Sequence, residues 1–164
     1  MPDQLDKQMK LAMAAESASA ARNRLYAAKA KKDGLIQLAK VMTAMATGEE
    51  ISARRALIYL RGKIGPAERH LELLRQQKET DAAQGYPTDR QTAATAGDRS
   101  AEAAFEQFSK VSHNHAAVLD NPDLNTAENE FYVCQVCGYI AVDTIPERCP
   151  VCGAVPQRFK PAAL

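Results

Sequence analysis

The chain has 164 residues, which allows one domain of ordinary size and a small appendage. Its formal net charge of +1 gives no reason to expect nucleic acid or an acidic membrane surface as a partner. The N-terminal sequence lacks the apolar segment of a signal peptide, and no run approaches the roughly 18 apolar residues of a membrane-spanning helix. We therefore expect a soluble protein of the cytoplasm.

Apolar residues recur at helical spacing in four segments. They predict helices at about residues 4–32, 35–61, 66–83 and 99–119. Gly34 and Gly62 follow the first two segments, and Pro66 suits the first position of the third. The sequence Gly-Tyr-Pro at 85–87 predicts a break or kink after the third helix. Long amphipathic segments with short turns predict a four-helix bundle, and therefore a mainly α fold.

A polar segment separates the helices from the C-terminal stretch. The sequence Asp-Asn-Pro-Asp at 120–123 ends the fourth helix, and polar residues continue to Glu130. We therefore predict a helical bundle at residues 1–120, a linker at 121–130 and a small metal-binding domain at 131–164.

Each predicted helix carries at least one polar residue on its inward face. Such residues need partners, because an unpaired buried charge is costly. Carboxylates and a histidine that converge from four helices are typical of di-iron bundles, which are built from Glu and Glu-x-x-His on facing helices. The residues concerned are Glu16 on the first helix, Glu49 and Ser52 on the second, Lys78 and Asp81 on the third, and Ser112 and His115 on the fourth.

All four cysteines lie in the C-terminal stretch, as two Cys-x-x-Cys pairs with eleven residues between them. The two-residue gap in each pair turns both sulfurs toward one point, and Gly138 and Gly153 follow where a positive φ is accessible. Two such pairs predict a tetrahedral four-sulfur site, which selects zinc or iron. Two disulfides in a secreted module are the disfavoured alternative, because no signal peptide is present. The predicted ligands are Cys134, Cys137, Cys149 and Cys152.

The residues around the cysteines resemble the rubredoxin module, in which one iron bound by four cysteines transfers one electron. The resemblance rests on Tyr-Val-Cys-x-x-Cys-Gly-Tyr at 132–139, on Cys-Pro-x-Cys-Gly at 149–153 and on Phe159 beyond them. The short spacer is similar to the compact version at the C-terminus of rubrerythrins. A structural zinc ribbon shares Cys-Pro-x-Cys-Gly, usually with a longer spacer. We therefore expect one iron per chain, with zinc as the alternative.

The first two helices also resemble those of rubrerythrins. The run from Glu16 to Gly34 is similar to the family's first helix, whose opening glutamate is a metal ligand. Glu49 falls where the family has the glutamate of its first Glu-x-x-His, but Ser52 occupies the histidine position.

The third and fourth helices depart further from the family pattern. Where the third helix should offer Glu-x-x-Glu, this chain has Lys78 and Asp81. In the last helix, the second Glu-x-x-His is replaced by Ser112 followed by His115. Of the metal ligands that the resemblance implies, the chain keeps Glu16, Glu49 and His115 in kind, with Asp81 as a shortened equivalent.

These substitutions predict a bundle without a di-iron pair. Two ferrous ions carry four positive charges, whereas the chain supplies three carboxylates and adds Lys78. At ~4 Å and an effective dielectric constant of about 20, a lysine beside a divalent ion is repelled by roughly 8 kcal/mol before screening. Lys78 is therefore expected to replace the metals by pairing with Glu16, Glu49 or Asp81. One metal ion on Glu16, Glu49, Asp81 and His115, a metal-free polar cluster, and an intact di-iron pair stay open as alternatives.

The resemblance implies a redox function. Rubrerythrins reduce hydrogen peroxide at the di-iron pair with electrons from the thiolate-bound iron. Because the di-iron ligand set is degenerate in this chain, we expect one-electron transfer and assign no catalytic residue. An active peroxide reductase and a zinc-ribbon structural or interaction protein are the alternatives. The resemblance also implies a homodimer, in which the module of one chain approaches the bundle of the other, and a redox partner protein; the linker is long enough to permit such domain swapping.

Overall fold

The structure is a computed structural model that describes residues 2–62, 65–121 and 128–162. It divides into two compact units, residues 1–65 and residues 66–164. The first unit is a hairpin of two long helices, α1 (Pro2–Lys32) and α2 (Ile36–Arg61). Gly34 has a φ of 81° and follows α1, and the Leu35 N–H donates to the Ala30 carbonyl at 2.9 Å. This bond caps the end of α1 as the chain reverses, which agrees with the predicted helices.

Alanines line the contact between α1 and α2. Because alanine has no side chain beyond Cβ, it lets two helix backbones approach closely. Larger apolar side chains lie outside this contact, and Leu25 and Val41 are 72% and 56% exposed. The hairpin therefore buries little of its own apolar surface. Its buried apolar residues are Ala20, Ala27, Ala30, Ala39, Ala46, Ala53 and Ala56.

The second unit begins with a long helical segment that contains one wide turn. Helix α3 (Ala67–Thr80) passes through a π-helical turn (Asp81–Gly85) directly into α4 (Tyr86–Thr95). The helix therefore continues through the position where the sequence predicts a break or kink. The reason is that the π turn lengthens the local hydrogen bond, from the Tyr86 N–H to the Asp81 carbonyl, just before Pro87, which has no N–H to donate.

Helix α5 (Arg99–Leu119) packs against both parts of this segment. The Asp98 side chain accepts a hydrogen bond from the Ala101 N–H at 3.0 Å and so caps the start of α5. Ser109 of α5 donates through Oγ to the Ala82 carbonyl in the π turn at 2.9 Å. The predicted bounds of this helix agree with the structure.

A small antiparallel sheet forms the C-terminal part of the second unit. Its strands are β1 (Phe131–Cys134), β2 (Ile140–Val142) and β3 (Phe159–Pro161), in the order β2-β1-β3. The register pairs Cys134 with Phe159, which places a cysteine and an aromatic ring side by side in the local core.

The predicted fold class is confirmed: four helical segments precede a small strand domain that carries the four cysteines. The predicted domain limits of 1–120 and 131–164 stay predictions. Part of the predicted linker, residues 122–127, lies outside the described residues. Among the helices that the structure describes, none is long and apolar enough to cross a membrane.

Candidate metal centre

The first Cys-x-x-Cys pair lies in a tight turn that begins at the end of β1. The Cys134 N–H donates to the Tyr139 carbonyl at 2.9 Å, and the Gly138 N–H donates to the Cys134 carbonyl at 2.9 Å. Gly138 has a φ of 86°, a conformation that glycine adopts without strain. The turn from Cys134 to Gly138, which we call the first knuckle, therefore presents two cysteines from one compact loop.

The second Cys-x-x-Cys pair repeats this geometry without a strand. The Cys149 N–H donates to the Ala154 carbonyl at 2.9 Å, and the Gly153 N–H donates to the Cys149 carbonyl at 2.8 Å. Gly153 has a φ of 71°. We call the turn from Cys149 to Gly153 the second knuckle. Its two backbone hydrogen bonds join the same relative positions as the two hydrogen bonds of the first knuckle.

The two knuckles bring the four cysteine sulfurs together. All four Sγ atoms lie within 4.8 Å of one another. Cys134 Sγ lies 3.7 Å from Cys152 Sγ, and Cys137 Sγ lies 3.5 Å from Cys149 Sγ. A tetrahedron with metal–sulfur distances of about 2.3 Å has edges of about 3.8 Å. The donor set therefore fits one tetrahedral zinc or iron ion, and the four cysteines form no disulfide in this structure.

The cysteines of each knuckle differ in burial. Cys134 and Cys149 are 1% and 3% exposed, whereas Cys137 and Cys152 are half-buried. The Tyr139 and Phe159 rings pack edge to face, with centroids 6.5 Å apart, against the buried side. One side of the site is therefore sealed by aromatic residues, and the other brings two sulfurs near the surface.

Burial and backbone donors act in opposite directions on the thiols. Burial raises the pKa of Cys137 far above its usual range, although the Tyr139 N–H bonds its sulfur and acts against the rise. Burial likewise raises the pKa of Cys152, against the effect of the Ala154 N–H. Burial also disfavours ionisation of Cys134, but backbone N–H donors of its own knuckle outweigh it and lower the pKa. A metal ion must therefore displace protons from Cys137 and Cys152.

Two side chains of α5 contact the first knuckle and the strand beyond it. Asn114 donates through Nδ2 to the Ile140 carbonyl at 3.0 Å and accepts from the Ile140 N–H at 2.7 Å, as a neighbouring strand would. His115 donates through Nε2 to the Gly138 carbonyl at 2.9 Å. No spacing or composition signal in the sequence marks Asn114 for this role.

The candidate ligands of the first unit lie on facing helices. Glu16 and Glu49 are both half-buried. The Glu49 carboxylate accepts from Ser19 Oγ at 2.7 Å and from Asn23 Nδ2 at 2.9 Å on each oxygen. Asn23, which is 8% exposed, was not singled out from the sequence. The described residues of this unit contain no group of three or more His, Cys, Asp or Glu near enough to share an ion.

The remaining candidates belong to the second unit. Lys78 Nζ lies 3.8 Å from Asp81 Oδ2, and Gln77 donates through Nε2 to Asp81 Oδ1 at 2.7 Å. His115 bonds the first knuckle, as described above. Among the described residues of this unit, the four cysteines are the one group that could hold a metal ion through three or more such side chains. The metal-ligand roles of Glu16, Glu49, Asp81 and His115, and the charge-replacing role of Lys78, stay predictions.

Comparison with known proteins connects this geometry to one family. Residues 132–160 match the family model described as "Rubrerythrin, rubredoxin-like domain". The chain is 27% identical to rubrerythrin from Porphyromonas gingivalis, over 95% of this chain and 88% of that protein. It is 26% identical to rubrerythrin-1 from Clostridium acetobutylicum, over 86% of this chain and 85% of that protein.

Solved structures of nigerythrin share the fold. The structure described as the partially reduced state has a TM-score of 0.57 at 21% identity, over 96% of this chain and 86% of that one. The fully reduced, all-ferrous state has a TM-score of 0.54 at 22% identity, with the same coverage. The fold is therefore ferritin-like with a rubredoxin-like domain. Together with the sulfur geometry, these comparisons show a rubredoxin-like domain at residues 132–160 and a chain that is similar to rubrerythrins over most of its length.

Proposed function

We propose that the chain is an iron-binding redox protein that transfers single electrons. The observation that supports this most directly is the approach of four cysteine sulfurs at distances that match the edges of a tetrahedron. Cys134, Cys137, Cys149 and Cys152 would hold one iron ion, which supplies a one-electron couple between its ferric and ferrous states. Reduced cysteines are required for this site, so we place the protein in the cytoplasm.

The surrounding residues suit electron transfer better than substrate chemistry. Cys134 and Cys149 are buried against the Tyr139 and Phe159 rings, which exclude water from that side. Cys137 and Cys152 are half-buried, so a partner protein can approach their sulfurs without reaching the ion. We therefore propose a redox partner protein that docks over these two cysteines.

We propose that the di-iron site that the family resemblance implies is dismantled in this chain. Ser52 and Ser112 occupy positions where the resemblance implies ligands, and serine hydroxyls do not supply the charge of a bridging carboxylate. Glu49 already accepts hydrogen bonds from two neutral side chains, and Asp81 lies beside Lys78. These contacts support a role for the helices other than peroxide reduction.

We also propose that the protein is a homodimer. The α1–α2 hairpin has an alanine contact and leaves large apolar side chains exposed, and the burial of such side chains against a partner is favourable. A second copy of the chain is the partner that symmetric assembly favours. Sedimentation equilibrium should then give twice the mass of the chain, and a monomer at micromolar concentration would contradict the proposal. The exposed residues include Leu11, Leu25, Leu38, Val41, Met45 and Tyr59.

Metal quantification on anaerobically purified protein tests the functional proposal. We expect about one iron per chain, a red colour with visible charge-transfer bands in the oxidised form, and bleaching on reduction. About two equivalents would indicate a mononuclear site in the bundle, and about three an intact di-iron pair. A colourless protein that takes up zinc but no iron after anaerobic reconstitution would contradict the redox function and favour a zinc-ribbon interaction protein.

A further inference from the structure

The half-buried Cys137 belongs to a chain of hydrogen bonds that begins outside its knuckle. The Tyr139 N–H bonds Cys137 Sγ. The carbonyl of the same peptide group, which belongs to Gly138, accepts from His115 Nε2 at 2.9 Å. Because a carbonyl has no proton to donate, Nε2 carries the hydrogen. A continuous series of donors therefore runs from helix α5 to the sulfur.

The half-buried Cys152 has an equivalent series. The Ala154 N–H bonds Cys152 Sγ. The carbonyl of that peptide group, which belongs to Gly153, accepts from Arg148 Nη1 at 3.3 Å. The two series thus occupy corresponding positions in the two knuckles. They differ in origin, since Arg148 lies in the cysteine-rich part of the chain and His115 lies on α5.

We propose that His115 and Arg148 are positioning residues that raise the reduction potential of the metal, each through one peptide group. A hydrogen bond to a carbonyl polarises the peptide and strengthens its N–H as a donor. A stronger donor to a thiolate stabilises the reduced centre, which carries one more negative charge than the oxidised centre. This inference rests on the one-electron iron centre proposed above.

Asn114 holds the His115 contact in place. Its side-chain amide bonds both the N–H and the carbonyl of Ile140, on the strand that follows the first knuckle. Val111, one turn earlier on α5, also lies near Gly138, where a Cβ would be 3.8 Å from Val111 Cγ1. Helix α5 therefore fixes the backbone that carries the Gly138 carbonyl. A displacement of α5 would act on the metal site through the hydrogen bond from His115 to this carbonyl.

Spectroelectrochemistry of the iron-loaded full chain tests the proposal. His115→Phe and Arg148→Met should each lower the reduction potential, by an amount that corresponds to about a threefold to tenfold change in the equilibrium constant for reduction. The double variant should show the sum of both shifts, because the two donors act on different sulfurs. His115→Gln should restore most of the wild-type value, because its amide can still donate to the carbonyl.

Matched variants separate hydrogen bonding from charge and docking. His113→Phe changes an exposed histidine of the same helix, and Arg158→Met removes an equal charge from the same part of the chain. Asn114→Ala removes the side chain that holds the His115 contact in place, so it should lower the potential by less than His115→Phe, because both donors are still present. Unchanged potentials in His115→Phe and Arg148→Met would overturn the proposal. Shifts of equal size in their respective controls, His113→Phe and Arg158→Met, would overturn it as well.

Cobalt substitution distinguishes failure of this inference from failure of the proposed function. In the Co²⁺-loaded protein, loss of a donor to sulfur should move the thiolate-to-cobalt charge-transfer bands to lower energy, whichever metal the cell supplies. If the wild-type iron form shows no reversible one-electron couple, the proposed function fails and the cobalt bands still decide the role of His115 and Arg148. Bands at identical energies in wild type and both variants would overturn the inference.

Discussion

The sequence predicts two groups of metal ligands, the four cysteines and the polar residues of the helices. The members of the first group are close together in the sequence, and those of the second are far apart. The four cysteines lie in one short stretch, and each pair is shaped by hydrogen bonds within its own turn. The candidate ligands of the helices come from separate helices and from both compact units. In the structure, Glu49 bonds Ser19 and Asn23, and His115 bonds Gly138. Spacing in the sequence thus predicts a site most directly where a local turn fixes its geometry.

The largest expected effect is the loss of one buried sulfur. Cys134→Ser should abolish tight metal binding and strongly destabilise the small sheet, because metal binding adds ~10–16 kcal/mol to folding in four-thiolate sites. Metal content and circular dichroism measure both consequences. Val136→Ala changes an exposed residue of the same knuckle and should keep the metal. Full metal content in Cys134→Ser would mean that the four sulfurs do not act as one site.

Acid should release the metal over a narrow range of pH. Burial raises the pKa of Cys137 and of Cys152, so both thiols hold their protons at neutral pH in the metal-free state. If the metal displaces two protons, the affinity of the site for the metal should fall by about a hundredfold for each unit by which the pH is lowered. Competition with a chelator between about pH 8 and pH 5.5 measures this slope. An affinity independent of pH would contradict the proton displacement.

The metal-free form should respond to pH in the opposite direction. When folding raises the pKa of a thiol, its contribution to stability is fully present at a pH below the pKa of the unfolded chain, which is about 8.5. This contribution is lost as the pH rises through the higher pKa of the folded state. The lowered pKa of Cys134 works against this trend, so the net loss should be smaller than two thiols alone would give. Urea unfolding of the metal-free protein on both sides of that value measures the difference.

The smallest effect concerns the polar contact inside the helical hairpin. Asn23→Leu leaves the half-buried Glu49 carboxylate without one of its two side-chain partners and should lower the free energy of unfolding by ~1–3 kcal/mol. Arg24→Ala, at the next position, removes an exposed ion pair with Glu50 and should have little effect. Urea unfolding of the first-unit helices compares the two. Equal effects would show that the Asn23 contact is no more important than a surface pair.

The sequence predicted the helices, a small metal-binding domain and the convergence of the cysteines, because these follow from periodicity and from the Cys-x-x-Cys turns. It did not predict that helix α3 continues past Gly85 into α4, since a π turn accommodates Pro87 by a change in backbone hydrogen bonding that leaves no periodic signal. Nor did it identify Asn23 or Asn114. Their partners, Glu49 and Ile140, lie on other elements, and only the folded chain brings them together.

X-ray absorption at the iron edge of anaerobically purified protein tests the central claim most directly. We predict a single first shell of four sulfur atoms at about 2.3 Å around each iron. We also expect no second iron nearby. A first shell of oxygen and nitrogen atoms with a metal neighbour at about 3.5–4 Å would instead place the iron between the helices and contradict the account.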